Sequence, residues 1–275
     1  MTFTTAETGF APQLIEKDYF CTVILQHLAM NVPELIFKGG TCLAKVHLGF
    51  YRLSEDLDFS IPMPVHAARA QRSRLAAGPK AVVARIAGTL PGIRAVAPLA
   101  GANDSSQYST VIRYSSPLGR REDTVKIEVA LREPLLTEVV TGEAKTLLLD
   151  PVSGSPLVPA IRLPCLSREE AMAEKLRAAL TRREAAIRDF YDIDHAVRRL
   201  GVRVQSSEMV RLLRQKLAVP GNEPVDISAR RLAILTPQRE SQLKPVLRDR
   251  DLAEFDLDRA FTIVTEVAGM LGEPP

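Results

Sequence analysis

Apolar positions Leu14, Ile15, Tyr19 and Val23, followed by His27, recur at steps of three and four, which predicts a helix over residues 12–30 ending before Pro33. The pattern then shortens. ELIFK, residues 34–38, suits a short buried strand; Gly39-Gly40-Thr41 makes a turn; CLAKVHLGF suits a short helix; and DLDFSI, residues 56–61, alternates as a strand does. Residues 65–89, rich in Ala, Arg and Leu, predict a long helix with a weak point at Gly78-Pro79. IRAVAPL, QYSTVIRYSS and DTVKIEVALRE follow as three candidate strands with turn signals between them, in the manner of antiparallel neighbours.

Pro151, Pro156, Pro159 and Pro164, with Gly154, mark a boundary. Beyond it the periodicity is helical. Ser167 and Glu170 fit a capping box that opens one helix, and RDFYDIDHAVRRLG is a second, ended by Gly201. Three or four more helices follow, broken at Pro220, Pro224, Pro237 and Pro245. The expectation is an α+β fold: a mixed sheet with flanking helices over residues 1–160, then a helical bundle over 161–275.

Composition changes this picture little. The chain has 275 residues, 46% apolar and 25% charged, with a formal net charge of +3, which permits a polyanionic partner without demanding one. Trp is absent and aromatics are only 5%, which argues against a base-stacking surface for single strands. Cys21, Cys42 and Cys165, and His27, His47, His66 and His195, are scattered, so no zinc-binding spacing is visible and a reducing cytoplasm is the expected compartment. MTFTTAETGF has neither a basic nor a hydrophobic signal region, and no apolar run is long enough to span a bilayer.

Candidate chemistry begins at Asp56 and Asp58. On a strand, residues two apart face the same way, about 7 Å apart. Two like charges on one face repel, and a divalent cation resolves the repulsion; Mg²⁺ (or Mn²⁺) is commonly held by one or two carboxylates plus substrate phosphates. The alternative is a solvated strand edge. Gly39 and Gly40 lie between a predicted strand and a predicted helix, where a backbone without Cβ atoms admits a phosphate to the N–H groups of the next helix. Thr41 and Ser54 add hydroxyls nearby. Glu128, in the apolar run VKIEVAL, is either a third metal ligand or base, or half of a Lys126–Glu128 pair on a wet strand face.

In order along the chain stand Ile15-Glu-Lys-Asp-Tyr19, Phe37-Lys38-Gly39-Gly40-Thr41, Leu53-Ser54-Glu-Asp56-Leu-Asp58-Phe59, Lys126-Ile-Glu128-Val129, Ala173-Glu-Lys175-Leu176 and Arg188-Asp189-Phe-Tyr-Asp192. This series resembles the AbiEii/AbiGii-type toxins within the DNA polymerase β-like nucleotidyltransferases, over roughly residues 11–200. The resemblance implies a nucleotidyltransferase fold, an NTP substrate, and a magnesium-dependent transfer of nucleotides to the 3′ end of tRNA that blocks translation. It also implies an antitoxin protein as partner. It assigns Asp56, Asp58 and Glu128 to metal; Lys38, Gly39, Gly40, Thr41 and Ser54 to nucleotide phosphates; and Lys175 to the triphosphate, oriented by Asp192 or Asp189. Two departures stand out: Thr41 where Ser is frequent, and Glu128 where Asp is frequent.

Spacing alone leaves Lys175 as an exposed lysine on a helix flank and Asp189 and Asp192 as surface ion-pair partners. Residues 168–216 hold twelve Lys and Arg against eight Asp and Glu. Arg182, Arg183, Arg188, Arg198, Arg199 and Arg203 supply most of that excess, either as a solvated face or as the surface that meets RNA phosphates. Two further function classes remain: a nucleotidyltransferase acting on a small molecule or a protein hydroxyl, and a non-catalytic toxin that works by contact.

Overall fold

Two helices open the chain, α1 (Thr2–Thr8) and α2 (Pro12–Asn31). Pro12 stands at the start of α2, where a missing N–H leaves no bond unmade. Val32, preceding Pro33, is pushed out of helical geometry and ends it. The computed structural model describes residues 1–119 and 121–272, and the chain divides into two units, Met1–Leu166 and Ser167–Pro275.

In the first unit a three-residue strand, β1 (Ile36–Lys38), runs straight into the helical turn α3 (Gly39–Cys42) and a wider π-helical turn, Leu43–His47. Strand β2 (Asp56–Ser60) follows, then α4 (Arg69–Leu75) and α5 (Ala77–Thr89). The single long helix expected over 65–89 is thus two. The break falls at Ala76, just ahead of Gly78-Pro79, because proline lacks the N–H that an uninterrupted helix would use and suits a first turn. The rest of the unit is β3 (Ile93–Ala95), β4 (Ala100–Ala102), β5 (Gln107–Ser115), β6 (Glu122–Ala130), β7 (Val140–Ala144) and β8 (Ile161–Cys165). β8 carries the sheet beyond residue 160, and the unit accordingly ends at Leu166.

These strands form one mixed sheet in the order β3-β5-β6-β2-β1-β8-β7, with β4 also paired to β5. β2 runs parallel to β6 and antiparallel to β1, while β1 runs parallel to β8. Leu57 and Phe59 of β2, and Val125, Ile127 and Val129 of β6, join one core with Ile24, Leu25 and Leu28 of α2 and Val82, Val83 and Ile86 of α5. The alternate residues of β2 and β6 therefore occupy the opposite face of the sheet.

Three consecutive polar residues of α2 are buried, and each is fastened to a different part of the unit. Glu16 accepts from the Ser116 hydroxyl at 2.7 Å and the Leu118 N–H at 3.2 Å. Lys17 donates to Asp123 at 3.0 Å. Asp18 pairs with Lys45 and also accepts from the Thr146 hydroxyl and the Leu147 N–H. Lys45 donates further to the Thr22 hydroxyl, at 2.7 Å, and the Lys145 carbonyl, at 3.2 Å. A buried charge pair is tolerated where its remaining hydrogen-bonding capacity is also met, as it is here.

The second unit is helical: α6 (Arg168–Thr181), α7 (Ile187–Leu200), α8 (Ser207–Leu217), α9 (Ala229–Leu235), α10 (Asp249–Glu254) and α11 (Leu257–Gly269). Ser167, Ser206, Ser228 and Asp256 each accept a backbone N–H at a helix start. Glu170, the expected second half of the capping box, extends its carboxylate to buried Lys216 at 2.7 Å. Phe190 of α7 stacks on Phe261 of α11 at 5.7 Å, and Asp194 holds Arg259 in a two-pronged pair at 2.8 and 3.0 Å. Leu200, which continues the apolar stripe of α7 on paper, is exposed.

Removing one partner of a buried pair leaves a bare charge. Asp18→Ala is expected to destabilise the first unit by about 3–5 kcal/mol in denaturant unfolding, and Asp18→Leu combined with Lys45→Met to recover most of that loss.

Candidate active site

Asp56 and Asp58 are the first and third residues of β2, and their side chains share the face opposite Leu57 and Phe59. The parallel register sets Asp58 beside Glu128 and Asp56 beside Lys126 on β6. In-register neighbours lie about 4.8 Å apart and project to the same side. The three predicted acidic residues therefore share one face of two neighbouring strands, and Lys126 joins them there. Its ammonium forms a close ion pair with Glu128. That hydrogen bond, against the opposing effect of partial burial, and the nearby charges of Glu128, Asp56 and Asp58 hold Lys126 above the usual lysine range. Glu128 thus pairs with Lys126, the alternative to a metal ligand or base, and it also sits beside Asp58 in the register.

The glycine turn closes on the same point. Lys38, at the end of β1, is the antiparallel partner of Asp58. Gly39 follows with φ of 77°, a left-handed geometry that favours glycine. A Cβ there would lie 2.8 Å from the Cβ of Asp58 and closer still to its Oδ2. A Cβ on Gly40 would meet the Arg52 guanidinium and, at 3.0 Å, the Ser54 Oγ. Gly39 therefore lies against Asp58, and the next residue, Gly40, against Arg52 and Ser54.

Thr41 departs from expectation. It is buried, and its hydroxyl donates to the Asp56 carbonyl, so it ties the turn to β2 instead of offering that hydroxyl to a phosphate. Arg52 was not singled out by the sequence patterns. The residue is 2% exposed, an unusual depth for an arginine, and its guanidinium lies against Gly40. Its position two residues before Ser54, in the short run that links the turn to Asp56, is the signal that could have found it.

In the second unit, Lys175 of α6 reaches both Asp189 and Asp192 of α7 at 2.8 Å. Asp189 Oδ2 also lies 3.0 Å from Arg182 Nη1. Both aspartates are buried, with residue exposures of 2% and 0%. They are not the surface pair that spacing alone suggests; they fix the lysine ammonium between them. Among the arginines of this unit, Arg182, Arg198 and Arg199 pair with Asp189, Asp194 and Glu254. The basic face is therefore weaker than its residue count implies.

The fold, a mixed sheet and a helical unit, is similar to that of solved structures. JHP933 from Helicobacter pylori is similar with a TM-score of 0.54 at 18% identity, covering 95% of this chain and 93% of that one. MenT4, the nucleotidyltransferase toxin Rv2826c from Mycobacterium tuberculosis H37Rv, is similar with a TM-score of 0.50 at 20% identity, covering 94% of each chain. At these identities the likeness is one of fold. No curated protein matches the chain. The family model for the nucleotidyl transferase AbiEii toxin of type IV toxin–antitoxin systems matches residues 24–262, and the chain belongs to that family. It is thus a nucleotidyltransferase toxin whose substrate is an NTP and whose system includes an antitoxin. Among the described residues no helix is long and apolar enough to cross a membrane.

Gly39 and Gly49 separate backbone strain from crowding. Both have positive φ, 77° and 72°, but a Cβ at Gly49 meets nothing within 4 Å. Each Ala variant is expected to lose about 1–3 kcal/mol to backbone strain. Only Gly39→Ala, by displacing Asp58, is expected to lose nucleotidyl transfer, as parallel melting curves and activity assays would reveal.

Proposed function

We propose that the chain is a magnesium-dependent enzyme that moves nucleotides from NTP to RNA, with the 3′ end of tRNA as acceptor, and so arrests translation in the cytoplasm. The register that sets Asp58 beside both Glu128 and Gly39 carries this reading.

The donor set fits a hard divalent cation. Asp56, Asp58 and Glu128 offer only carboxylate oxygens, gathered on one sheet face at the expense of mutual repulsion. These three residues would hold Mg²⁺, or Mn²⁺ in its place. The ion's contribution when bound is to neutralise charge on the phosphates and lower the barrier at phosphorus.

The remaining work belongs to the chain's own groups. The turn at Gly39 and Gly40 admits a phosphate close to the backbone, at the start of a helical turn. Ser54 and the Arg52 guanidinium, both directed at Gly40, donate to phosphate oxygens. Lys38, paired with Asp58 across the sheet, adds positive charge beside them. Glu128 accepts the proton of the attacking ribose hydroxyl as that hydroxyl closes on the α-phosphorus and pyrophosphate departs. Lys126, the cation already paired with Glu128, gives up that pairing when the site is loaded. Lys175, oriented by Asp189 and Asp192, supplies a point charge to the triphosphate. RNA phosphates are met by exposed arginines such as Arg183 and Arg203.

The test uses purified chain, each of the four labelled NTPs in turn, and total tRNA, with and without Mg²⁺. The expected result is label in RNA that disappears on RNase treatment or chelation of the metal. Asp56→Ala is expected to abolish transfer while keeping the wild-type melting temperature, since it removes a repelling charge from the fold. Lys175→Ala is expected to raise KM for NTP more than it lowers kcat. Labelling by Asp56→Ala at the wild-type rate, or label that survives RNase, overturns the proposal. Toxicity of Asp56→Ala on expression would do the same, in favour of an action by contact alone.

A further inference from the structure

Cys42, His47 and Cys165 are scattered in sequence but meet in the fold. One donor atom from each lies within 4.8 Å of the other two. Cys42 closes α3, His47 ends the π-helical turn, and Cys165 ends β8. The parallel pairing of β1 with β8 brings them together, since Cys165 is the register partner of Phe37, two residues before the glycine turn. The scattered spacing had argued against a zinc site; sheet topology reverses that argument.

We propose that Cys42, His47 and Cys165 form a binding site for a soft divalent metal, zinc by its chemistry, distinct from the carboxylate site. Two thiolates and an imidazole are a zinc donor set, whereas the hard carboxylates of β2 and β6 suit magnesium. A tetrahedral zinc sets its ligand atoms roughly 3.5–3.8 Å apart, so the cluster needs only small side-chain rotations to close on the ion.

One further feature favours a ligand over chance packing. His47 Nε2 lies 2.9 Å from the Leu166 carbonyl. A carbonyl can only accept, so Nε2 carries a proton, and in the neutral ring that leaves Nδ1 with the lone pair. This backbone-anchored imidazole is the usual arrangement of a metal-bound histidine. On the facing strand, Gly142 stands where any Cβ would lie 2.6 Å from the Cys165 sulfur. The same Cβ would lie 2.6 Å from a Val46 methyl, so Gly142 lets β7 close on both the sulfur and Val46.

Three protein ligands leave a fourth coordination position open to water or another donor. Bound metal would fasten α3, the helical turn that begins at Gly39, to β8, joining Cys42 to a residue 123 positions away. It would stiffen the glycine turn from its far end.

Cobalt reports the site directly, because sulfur-to-cobalt charge transfer gives a near-ultraviolet band that carboxylates cannot produce. The full chain, purified under reductant, is titrated with Co²⁺ and then with Zn²⁺. The expected result is a thiolate band that saturates at one equivalent and is displaced by zinc. The band should be unchanged in Asp58→Asn, which lacks a magnesium ligand, and in Cys21→Ser. Cys21 is a separate buried thiol that burial pushes up to about 12. Cys42→Ser and Cys165→Ser should lose the band, and His47→Gln should weaken Co²⁺ binding by about tenfold or more. Absence of a thiolate band in the wild-type protein, a measurement that depends on no variant's folding, overturns the proposal. So does persistence of the band when Cys42 and Cys165 are both replaced.

Discussion

Like charges on adjacent strands set the terms for this molecule. The register that places Asp58 beside Glu128 is dictated by the apolar residues between them, since Leu57 and Phe59 pack with Ile127 and Val129 beneath α2 and α5. A slip of one residue would turn those side chains out and the carboxylates in. The core therefore fixes an arrangement that electrostatics alone would oppose. Lys126 eases the opposition from within the same strand by pairing with Glu128. The carboxylates keep their position, and the Lys126 ammonium is the resident cation beside them.

A second constraint keeps the glycine turn in place. The Thr41 hydroxyl ties the glycine turn to the backbone of β2, and Asp58 occupies the room that a Cβ on Gly39 would need. Farther out, the Glu16-Lys17-Asp18 run of α2 anchors the β5–β6 connection, β6 and the segment after β7. These polar contacts are directional, so they specify which loop lies where; apolar packing alone would tolerate shifts. In the helical unit the Lys175–Asp189–Asp192 cluster follows the same logic, with a cation held by two buried acids.

The elements with strong local signatures were legible in the sequence. The periodic stripe of α2, the alternation of β2 and β6, the glycine stop of α7 and the serine start of α6 each express physics contained within a few residues. The D-x-D strand and the glycine turn were legible for the same reason. β4, β7 and β8 were not. Ala100–Ala102 and Val140–Ala144 have little apolar alternation, and Ile161–Cys165 contains a proline; all three are strands because a neighbour pairs with them. The burial of Asp189 and Asp192 depends on α6 lying against α7. The meeting of Cys42, His47 and Cys165 depends on β1 lying beside β8. Long-range pairing writes no local pattern, and that is where spacing arguments failed.

The central claim is that Asp56, Asp58 and Glu128 act together as one hard-cation site. Anomalous scattering from Mn²⁺, in crystals of the chain grown with the ion and a non-hydrolysable NTP, tests it most directly. Manganese density bounded by these three carboxylates and the triphosphate is expected, with the Lys126 ammonium displaced from Glu128. Manganese held elsewhere, or Lys126 still paired with Glu128 while nucleotide occupies the glycine turn, would contradict it.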